Sequence, residues 1–409
     1  MIGAPIFRYA LTPGWAGDRL TRAAQAVPSL DLNFAVTKNV GPLVSFTRAS
    51  TATYIDSAGT LQTAAVDVPR FDHNPTTGES LGLLVEEQRT NLLLRSEEFD
   101  NASWNPPAPS IATVTPNAQI APNGTLTADT FATVSGTPAI FQAVACLAST
   151  AYTWSFYVKL GTMAAADFRF AVRDDTNGAF IAADIAPSIT PVTTEWRRVT
   201  YTFTTPVGCV LVRPYPYRFS PATYGTTVHL WGAQLEAGAF PTSYILNVST
   251  PLGATRNADV ASITGANFSS WYRQDEGTVF AEFINQSTTA GTIVSFDDGT
   301  ANNRWQTRFY PTTGRLRFVS TGSSIDQGSL ATYSQGVPTK ITTSVLSNNQ
   351  AIVLNGTPAV TTAAAAMPLV DRAQIGNGPA ADAAGALLIR RLTYWPQRLP
   401  NSTLQAITQ

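Results

Sequence analysis

The stretch "AYTWSFYVKLG" at residues 151–161 indicates the fold class more clearly than any other part of the chain. Every second residue from Tyr152 to Val158 is large and apolar, and the residues between them carry a hydroxyl or an amine. Successive side chains of a β-strand point to opposite faces, so this period of two places one set of side chains in a core. We therefore predict a strand with one buried face.

The same alternation continues on the C-terminal side of this strand. It is present in "EWRRVTYTFTTP" at 195–206 and in "TTVHLWGAQLEAG" at 226–238. Short strands at this spacing, separated by turns, are typical of jelly-roll-like sandwiches. We predict such a domain over residues 96–250, followed by a polar, Pro- and Gly-containing linker at 247–260.

Residues 261–409 carry a second series of strand and hairpin patterns. The turns "PTTG", "SNNQ" and "NG" separate runs such as "GTVFAEFIN" and "KITTSVL". The tail "LPNSTLQAITQ" predicts a short helix capped by Asn401 or Ser402. The fold class is therefore mostly β, with two tandem sandwiches, the second closed by a terminal helix.

The N-terminal part has weaker patterns. Residues 1–40 form an extended segment without clear periodicity, which we expect to pack on something else. For residues 41–95 we predict a small β unit and a junction that leads into the jelly roll. The most charged passage, "LLVEEQRTNLLLRSEEFDNASWN" at 83–105, predicts a strand, a turn at Arg89 to Asn91 and a short helical turn at Ser96 to Phe99.

Composition excludes several functions. Charged residues make up 13% of the chain and the formal net charge is −1, so the chain lacks the basic patch that binds nucleic acid or anionic membranes. Neither a signal peptide nor a run of 18 apolar residues is visible, so we expect no membrane insertion.

The only cysteines are Cys146 and Cys209. We expect two separate buried thiols, with a pair inside one sandwich as the alternative.

Catalytic motifs are missing from the sequence. His73 and His229 are the only histidines, and no nucleophile or phosphate-loop motif is present. The carboxylate doublets are Asp174–Asp175, Glu97–Glu98 and Asp297–Asp298. Neighbours on a strand point to opposite faces, so these doublets do not suit paired acid–base catalysis. We predict that the protein is not an enzyme and has no cofactor, with Asp297 and Asp298 as a candidate calcium site.

Sugar binding requires exposed aromatic faces and planar hydrogen-bonding groups. Residues of these types occur in Pro-rich or loop-like surroundings, most densely in "RPYPYRFSPATYG" at 213–225. The candidates are Trp104, Arg213, Tyr215, Tyr217, Arg218 and Tyr224 in the first sandwich, and Trp271, Tyr272, Arg273, Arg304, Trp305 and Arg308 in the second. For each, core packing or a subunit contact is the alternative interpretation.

The charged passage at 83–105 resembles a segment of phage and prophage structural proteins with the general form "GLLIEEARTNLLLYSEDFSNAAW". Further motifs resemble other parts of those proteins, over roughly residues 43–409. They are "SFTRASTATYIDSAG" at 45–59, "WGAQLEAGAFPTSYI" at 231–245, "TRNADV" at 255–260, "DGTANNRW" at 298–305 and "RRLTYWPQRLPNSTLQAIT" at 390–408.

This resemblance implies a carbohydrate-binding-module-like jelly roll and a concanavalin- or laminin-G-like C-terminal domain. It also implies a virion protein, a head spike or tail fibre assembled in the bacterial cytoplasm. Residues 1–40 would then attach it to other virion proteins, and the sandwiches would bind host-surface glycan. We expect a homo-oligomer, with a trimer as the specific expectation. A capsid or tail decoration protein without a ligand is the alternative, and a polysaccharide depolymerase ranks last.

Overall fold

The computed structural model describes residues 19–24, 26–187, 192–320, 323–364, 366–379 and 385–409. The prediction of a mostly β chain is confirmed, because strands far outnumber helices over these ranges. The helices are α1 (Arg19–Ala24), α2 (Phe34–Thr37), α3 (Gly265–Ser269) and α4 (Asn401–Ile407), with 3-10 turns at Ala102–Trp104 and Ala165–Asp167. None of the helices in the described ranges has the length and apolar character needed to cross a membrane.

The strands up to residue 237 are β1 (Leu30–Leu32), β2 (Ser45–Thr47), β3 (Ala52–Ile55), β4 (Leu61–Ala64), β5 (Arg70–His73), β6 (Ser80–Glu86), β7 (Arg89–Asn91), β8 (Ala112–Ile120), β9 (Leu126–Thr133), β10 (Ala139–Ile140), β11 (Val144–Ala145), β12 (Ala151–Leu160), β13 (Phe170–Asp174), β14 (Ala179–Ile185), β15 (Arg197–Thr204), β16 (Leu211–Tyr215), β17 (Tyr217–Arg218) and β18 (Thr227–Ala237).

The strands that follow are β19 (Ala254–Arg256), β20 (Val260–Thr264), β21 (Glu276–Asn285), β22 (Gly291–Asp297), β23 (Arg304–Phe309), β24 (Thr313–Ser320), β25 (Ser323–Thr332), β26 (Thr339–Leu346), β27 (Gln350–Leu354), β28 (Val360–Thr362), β29 (Arg372–Ile375) and β30 (Ala386–Trp395).

The chain forms two compact units. The central unit comprises residues 48–80 and 87–259, and the terminal unit comprises the described part of residues 1–47 together with 81–86 and 260–409. The expected anchoring segment, residues 1–40, is described only in part, because residues 1–18 lie outside the described ranges.

The central unit is a sandwich. One sheet has the strand order β15-β12-β18-β9-β8 and the other has the order β11-β16-β13-β14. Side chains from both sheets meet in a single apolar cluster, where the Trp154 ring of β12 lies 5.6 Å from the Phe170 ring of β13. The alternating apolar residues of β12 are therefore the inner face of one sheet, as their period predicts. The expectation of a single buried face is wrong, because Thr153, Ser155 and Tyr157 on the other face are buried as well.

A buried ion-pair cluster closes the central unit where its chain begins and ends. The Asp259 carboxylate accepts hydrogen bonds from Arg48 at 3.1 Å and from Arg70 at 2.5 Å, and all three side chains are fully buried. Arg48 also donates to the Ala65 carbonyl, and Arg70 donates to the Thr53 carbonyl and the Ser243 hydroxyl. One carboxylate thus compensates two guanidinium groups that have left water.

The motif at 231–245 folds back on itself through buried polar groups. Gln234 donates to Glu236 at 2.9 Å, and Glu236 accepts from the backbone and the hydroxyl of Thr242. The Ile245 amide donates to Gln234, and the Trp231 ring lies 4.8 Å from that of Tyr244. These interactions are local and internal, so the motif specifies the turn after β18 and is not exposed for a ligand.

The terminal unit is a second sandwich. One sheet has the order β28-β27-β26-β21-β30-β6, with β1 also paired to β30, and the seven-stranded sheet has the order β2-β20-β29-β22-β23-β24-β25. A hydroxyl pair, Thr307 with Thr343 at 2.5 Å, joins β23 to β26 across the core. Helix α1 packs with α4, where Leu20 shares an apolar cluster with Leu404 and Ile407.

Three local expectations are wrong. Residues Arg89–Asn91 are not a turn but strand β7, paired with β19 inside the segment 247–260 that the sequence suggests as a linker. Neither Asn401 nor Ser402 caps the last helix, because both lie inside it and Pro400 occupies the N-cap. The two thiols are free as expected, but they are neither apart nor both buried, since their Sγ atoms lie 3.6 Å from each other and Cys146 is partly exposed.

Candidate functional site

The four-stranded sheet of the central unit carries charged and aromatic side chains on its outer face. Val172 of β13 and Val212 of β16 point into the core, so their neighbours Arg173 and Arg213 lie on the opposite face. The strand register places Arg173 beside Arg213 on one side and beside Phe180 of β14 on the other. Two guanidinium groups and a phenyl ring therefore form a row across three strands.

Asp175 lies between the two arginines and makes this row stable. Its carboxylate contacts Arg213 Nη2 at 2.5 Å and Arg173 Nη1 at 3.3 Å. Like charges directly opposite each other on neighbouring strands repel, so the shared carboxylate offsets a destabilising pair. Burial lowers the pKa of Arg213, but its contacts with Tyr215 and Asp175 outweigh burial and raise that pKa above its ordinary value.

Three aromatic rings lie among the guanidinium groups. The Tyr215 ring is 5.0 Å from that of Phe141 and 6.1 Å from that of Phe180. The Arg213 guanidinium lies 4.3 Å from the centre of the Phe141 ring, a cation–π distance. We name this surface the arginine–aromatic face. It consists of Phe141, Arg173, Asp175, Phe180, Arg213, Tyr215 and Arg218.

The exposed part of the arginine–aromatic face is centred on Phe180. This ring is 39% exposed, and guanidinium carbons lie 4.5 Å (Arg218) and 6.0 Å (Arg173) from its centre. The Arg218 side chain is 28% exposed and the Arg173 side chain is 30% exposed. The ion pair of Arg218 with the exposed Asp184 is long, at 3.4 Å. The surface thus presents guanidinium N–H groups to solvent beside an apolar ring.

The structure brings together three of the candidates predicted in the first sandwich, Arg213, Tyr215 and Arg218. Tyr215 is only 5% exposed, so its expected exposure is wrong and its ring supports the face from beneath. Two others are wrong as surface residues, because Trp104 and Tyr217 are fully buried in the apolar core. Tyr224 is 39% exposed, and its hydroxyl donates to the Gly136 carbonyl at 2.6 Å.

The predicted aromatic candidates of the second sandwich are packing residues. Trp305 is fully buried, and its ring stacks 4.3 Å from that of Phe296 while its Nε1 donates to the Tyr272 hydroxyl. Trp271 is 5% exposed and packs edge-on against Tyr394. The expected exposure of Trp271 and Trp305 is therefore wrong, because their rings complete the core at this end of the terminal unit.

The arginine candidates of the same sandwich differ from one another. Arg304 and Arg308 are buried, at 4% and 6% exposure, so the expectation that they present donors to a ligand is wrong. Arg273 is exposed and contacts Asp275 at 2.6 Å and Glu276 at 2.7 Å. These contacts fit a surface ion-pair network.

The candidate calcium residues bind protein groups. Asp297 is buried and accepts from Ser295 at 2.7 Å and from the Gly299 amide. Asp298 accepts from Thr300 and Asn303. Burial raises the pKa of Asp297, although its hydrogen bonds oppose this. Within the described ranges, no group of three or more His, Cys, Asp or Glu side chains is arranged to hold a metal ion.

Sequence reasoning missed Phe141, Arg173, Asp175 and Phe180. Alternation could have found Arg173, because Phe170 and Val172 fix the inward phase of β13 and leave Arg173 outward. Phe180 stands in a short segment rich in alanine, and only the register with β13 shows which residue it faces. In the sequence Asp175 stands out only as half of a carboxylate doublet, because its partners lie on two other strand positions, Arg173 and Arg213.

Several solved structures are similar to parts of this chain. The CBM40 domain of the Ruminococcus gnavus IT-sialidase bound to α2,3-sialyllactose is 16% identical, with a TM-score of 0.30, over 34% of this chain and 84% of that one. The SAP-like pentraxin from Limulus polyphemus is 15% identical, with a TM-score of 0.28, over 33% and 70%.

The K499G mutant of the NanB sialidase from Streptococcus pneumoniae is 12% identical, with a TM-score of 0.31, over 35% of this chain and 26% of that one. Likeness at this level carries no information about a ligand or an activity. No protein-family model matches the sequence, and the search of curated proteins gave no match.

Proposed function

We propose that this chain is a structural protein of a bacteriophage particle, a head spike or tail fibre, and that its central unit binds glycan on the host surface. The sequence motifs at 45–59, 83–105 and 231–245, which resemble phage and prophage structural proteins, support the virion role. In this proposal the protein acts by binding and not by catalysis. Residues 1–40 attach it to other virion proteins, and it works as a homo-oligomer, with a trimer as the specific proposal.

The arginine–aromatic face is the observation that carries the glycan-binding part of the proposal. It combines planar donors with aromatic rings on one sheet face, and these are the groups that protein surfaces use for sugar hydroxyls and ring faces. In the described part of the chain, Phe180 and Tyr224 are the only aromatic residues among the exposed large hydrophobic side chains. Phe180 alone of these two has arginines at its ring.

The ligand that fits this face best is an acidic glycan. Guanidinium groups lie close to the Phe180 ring, so what the surface offers outward is mainly N–H donors. Guanidinium groups bind carboxylates through paired, charge-assisted hydrogen bonds. Arg218 has only a long contact to an exposed carboxylate, so a ligand carboxylate can replace Asp184 at small cost.

Binding to bacterial cells tests the proposal. Labelled full-length chain is incubated with host bacteria before and after periodate oxidation of surface sugars. We expect binding that periodate abolishes and that the double variant Arg173→Ala, Arg218→Ala reduces at least tenfold. Arg372→Ala is the matched control, because Arg372 is an exposed arginine paired with Asp371 outside this face. Binding that survives both periodate and the double substitution would refute the glycan role.

An architectural decoration protein is the second candidate. The observation that favours it is the internal pairing of the surface arginines, since Arg173 and Arg213 share Asp175. In that case purified particles contain the chain, but the labelled chain binds no host cell. Antibody labelling of purified particles in the electron microscope separates a virion protein of either kind from a soluble lectin.

A further inference from the structure

The two cysteines of the central unit lie side by side at the edge of the four-stranded sheet. Their Sγ atoms are 3.6 Å apart although 63 positions separate them in the sequence. The Cys146 amide donates to the Val210 carbonyl, extending the ladder in which β11 pairs with β16. The thiols are therefore held together by strand pairing, and neither one is positioned by chance on a loose loop.

We propose that Cys146 and Cys209 are a reversible dithiol–disulfide pair that closes when a low-molecular-weight disulfide such as oxidised glutathione is present. A disulfide has an S–S distance of about 2.05 Å, so the two sulfur atoms must approach by roughly 1.5 Å. Side-chain rotation supplies a movement of this size without separating β11 from β16. The inference does not depend on the glycan-binding proposal.

The two thiols have different roles in the reaction. Cys146 is partly exposed and Cys209 is buried, so Cys146 is the sulfur that an external disulfide reaches. The Cys146 thiolate attacks one glutathione sulfur and releases the other as a thiolate. Cys209 then loses its proton and displaces the bound glutathione, giving one protein disulfide and two glutathione thiols. The protein loses two electrons and two protons, and the oxidant is reduced by the same two electrons.

The surroundings keep the dithiol form persistent at neutral pH. Burial raises the pKa of Cys146 to about 12, and contact with Cys209 and the nearby Asp174 adds to this. Burial raises the pKa of Cys209, and the contact with the same carboxylate adds to this. Tyr152 also lies beside the two thiols, and burial raises its pKa as well. Since thiolate is the attacking species, closure is slow at neutral pH and becomes faster as the pH rises.

Closure would stabilise the part of the sandwich that carries the arginine–aromatic face. The bond would join the end of β11 to the turn before β16, the strand that holds Arg213 and Tyr215. It also closes a long loop, which restricts the unfolded chain more than a short one does. We expect the oxidised chain to unfold at a temperature roughly 5 to 15 °C above that of the reduced chain.

Thiol counting on the full-length chain tests the proposal. Reduced chain is incubated with excess oxidised glutathione at about pH 8.5 and then denatured. We expect both thiols to be lost, the intact mass to fall by two hydrogens, and reductant to restore both thiols. A urea-denatured sample run in parallel shows that the reagent is active. Three outcomes would each overturn the inference. They are glutathione adducts that persist, dimers linked by a disulfide, and thiols that remain unreacted in the folded sample but not in the urea-denatured one.

Single substitutions test the order of attack. Cys209→Ser should accumulate one glutathione on Cys146, whereas Cys146→Ser should leave Cys209 unmodified. The reverse pattern would contradict the assigned roles. The comparison of oxidised with reduced wild-type chain needs no substitution, so the test holds even where a variant fails to fold. A lower unfolding temperature after oxidation would show that this geometry does not accommodate the bond.

Discussion

At the scale of single residues, Asp259 compensates buried positive charge in the central unit. It is fully buried and is the shared acceptor of Arg48 and Arg70. Asp259→Asn removes the charge that compensates two buried cations, and losing one partner of a buried pair typically costs about 3 to 5 kcal/mol. Burial lowers the pKa of Arg48, but its hydrogen bond to Asp259 opposes this. We expect urea unfolding to show a loss of at least about 3 kcal/mol.

The matched control for this prediction is Asp371→Asn. Asp371 pairs with Arg372 at 2.8 Å, and its side chain is 65% exposed. Exposed pairs contribute about 0 to 1 kcal/mol, so this variant should unfold almost as the wild type does. Equal losses for the two substitutions would show that the Asp259 cluster is no more than a surface-type ion pair.

Asp129 predicts a pH dependence of stability. It is 2% exposed, and burial raises its pKa to about 6, against hydrogen bonds from the Phe99 and Asn117 amides. The folded chain then holds this proton more tightly than the unfolded chain does. The contribution of Asp129 to the free energy of unfolding is therefore largest below about pH 4 and falls by roughly 3 kcal/mol as the pH rises past about 6.

The measurement is urea unfolding of the wild type and of Asp129→Asn at several pH values between about 4 and 7. The free energy of unfolding of the wild type, relative to that of Asp129→Asn, should be higher at about pH 4 than at about pH 7. A difference that stays constant across this range would mean that Asp129 titrates normally in the folded chain.

At the scale of elements, the part of the charged passage from residue 87 to 105 packs within the central unit. Arg89 of β7 pairs with Glu87 at 2.5 Å and lies 4.6 Å from the centre of the Phe240 ring. Gly238 follows β18 with φ of 132°, and a Cβ built there would overlap the Arg89 guanidinium. The turn after β18 therefore needs glycine for two reasons, conformation and space.

Gly238→Ala should therefore destabilise the chain in two ways, through backbone strain and through overlap with the Arg89 side chain. It should cost more than a substitution at a glycine where only the backbone is strained. Gly208→Ala is the matched control, because Gly208 also has positive φ, 78°, but nothing lies within 4 Å of a Cβ there. We expect Gly208→Ala to cost about 1 kcal/mol and Gly238→Ala at least about 2 kcal/mol more, measured by urea unfolding. Equal costs would mean that Arg89 moves aside freely.

The elements differ in how far the sequence predicts them. Strands such as β12 and β15 were predictable because alternation over eight or more residues is a local property. The sequence does not predict strand β7, because three residues carry no period and its partner β19 lies more than 160 positions away. The motifs at 45–59 and 255–260 are recognisable as a pattern, but only the fold shows that their buried side chains Arg48 and Asp259 meet.

At the scale of the whole molecule, the mostly β class with sandwich-like sheets follows from the sequence, and the candidate site does not. Arg213, Tyr215 and Arg218 were found because they cluster in one short segment. Arg173 and Phe180 belong to the same face through strand register, which composition cannot supply. The exposure of aromatic side chains is the least predictable property, because an aromatic residue in a Pro-rich segment packs inward as readily as outward. Trp104 and Tyr217 both pack inward, into the apolar core.

The most direct test of the account uses an array of bacterial surface glycans, each acidic glycan spotted beside its carboxyl-reduced form. We predict that the full-length chain binds acidic members, that carboxyl reduction weakens binding at least tenfold, and that Phe180→Ala and Arg218→Ala each weaken it while Arg372→Ala does not. Equal binding to both forms would contradict the acidic ligand but keep the glycan role. Binding that the substitutions leave unchanged would contradict the arginine–aromatic face as the site.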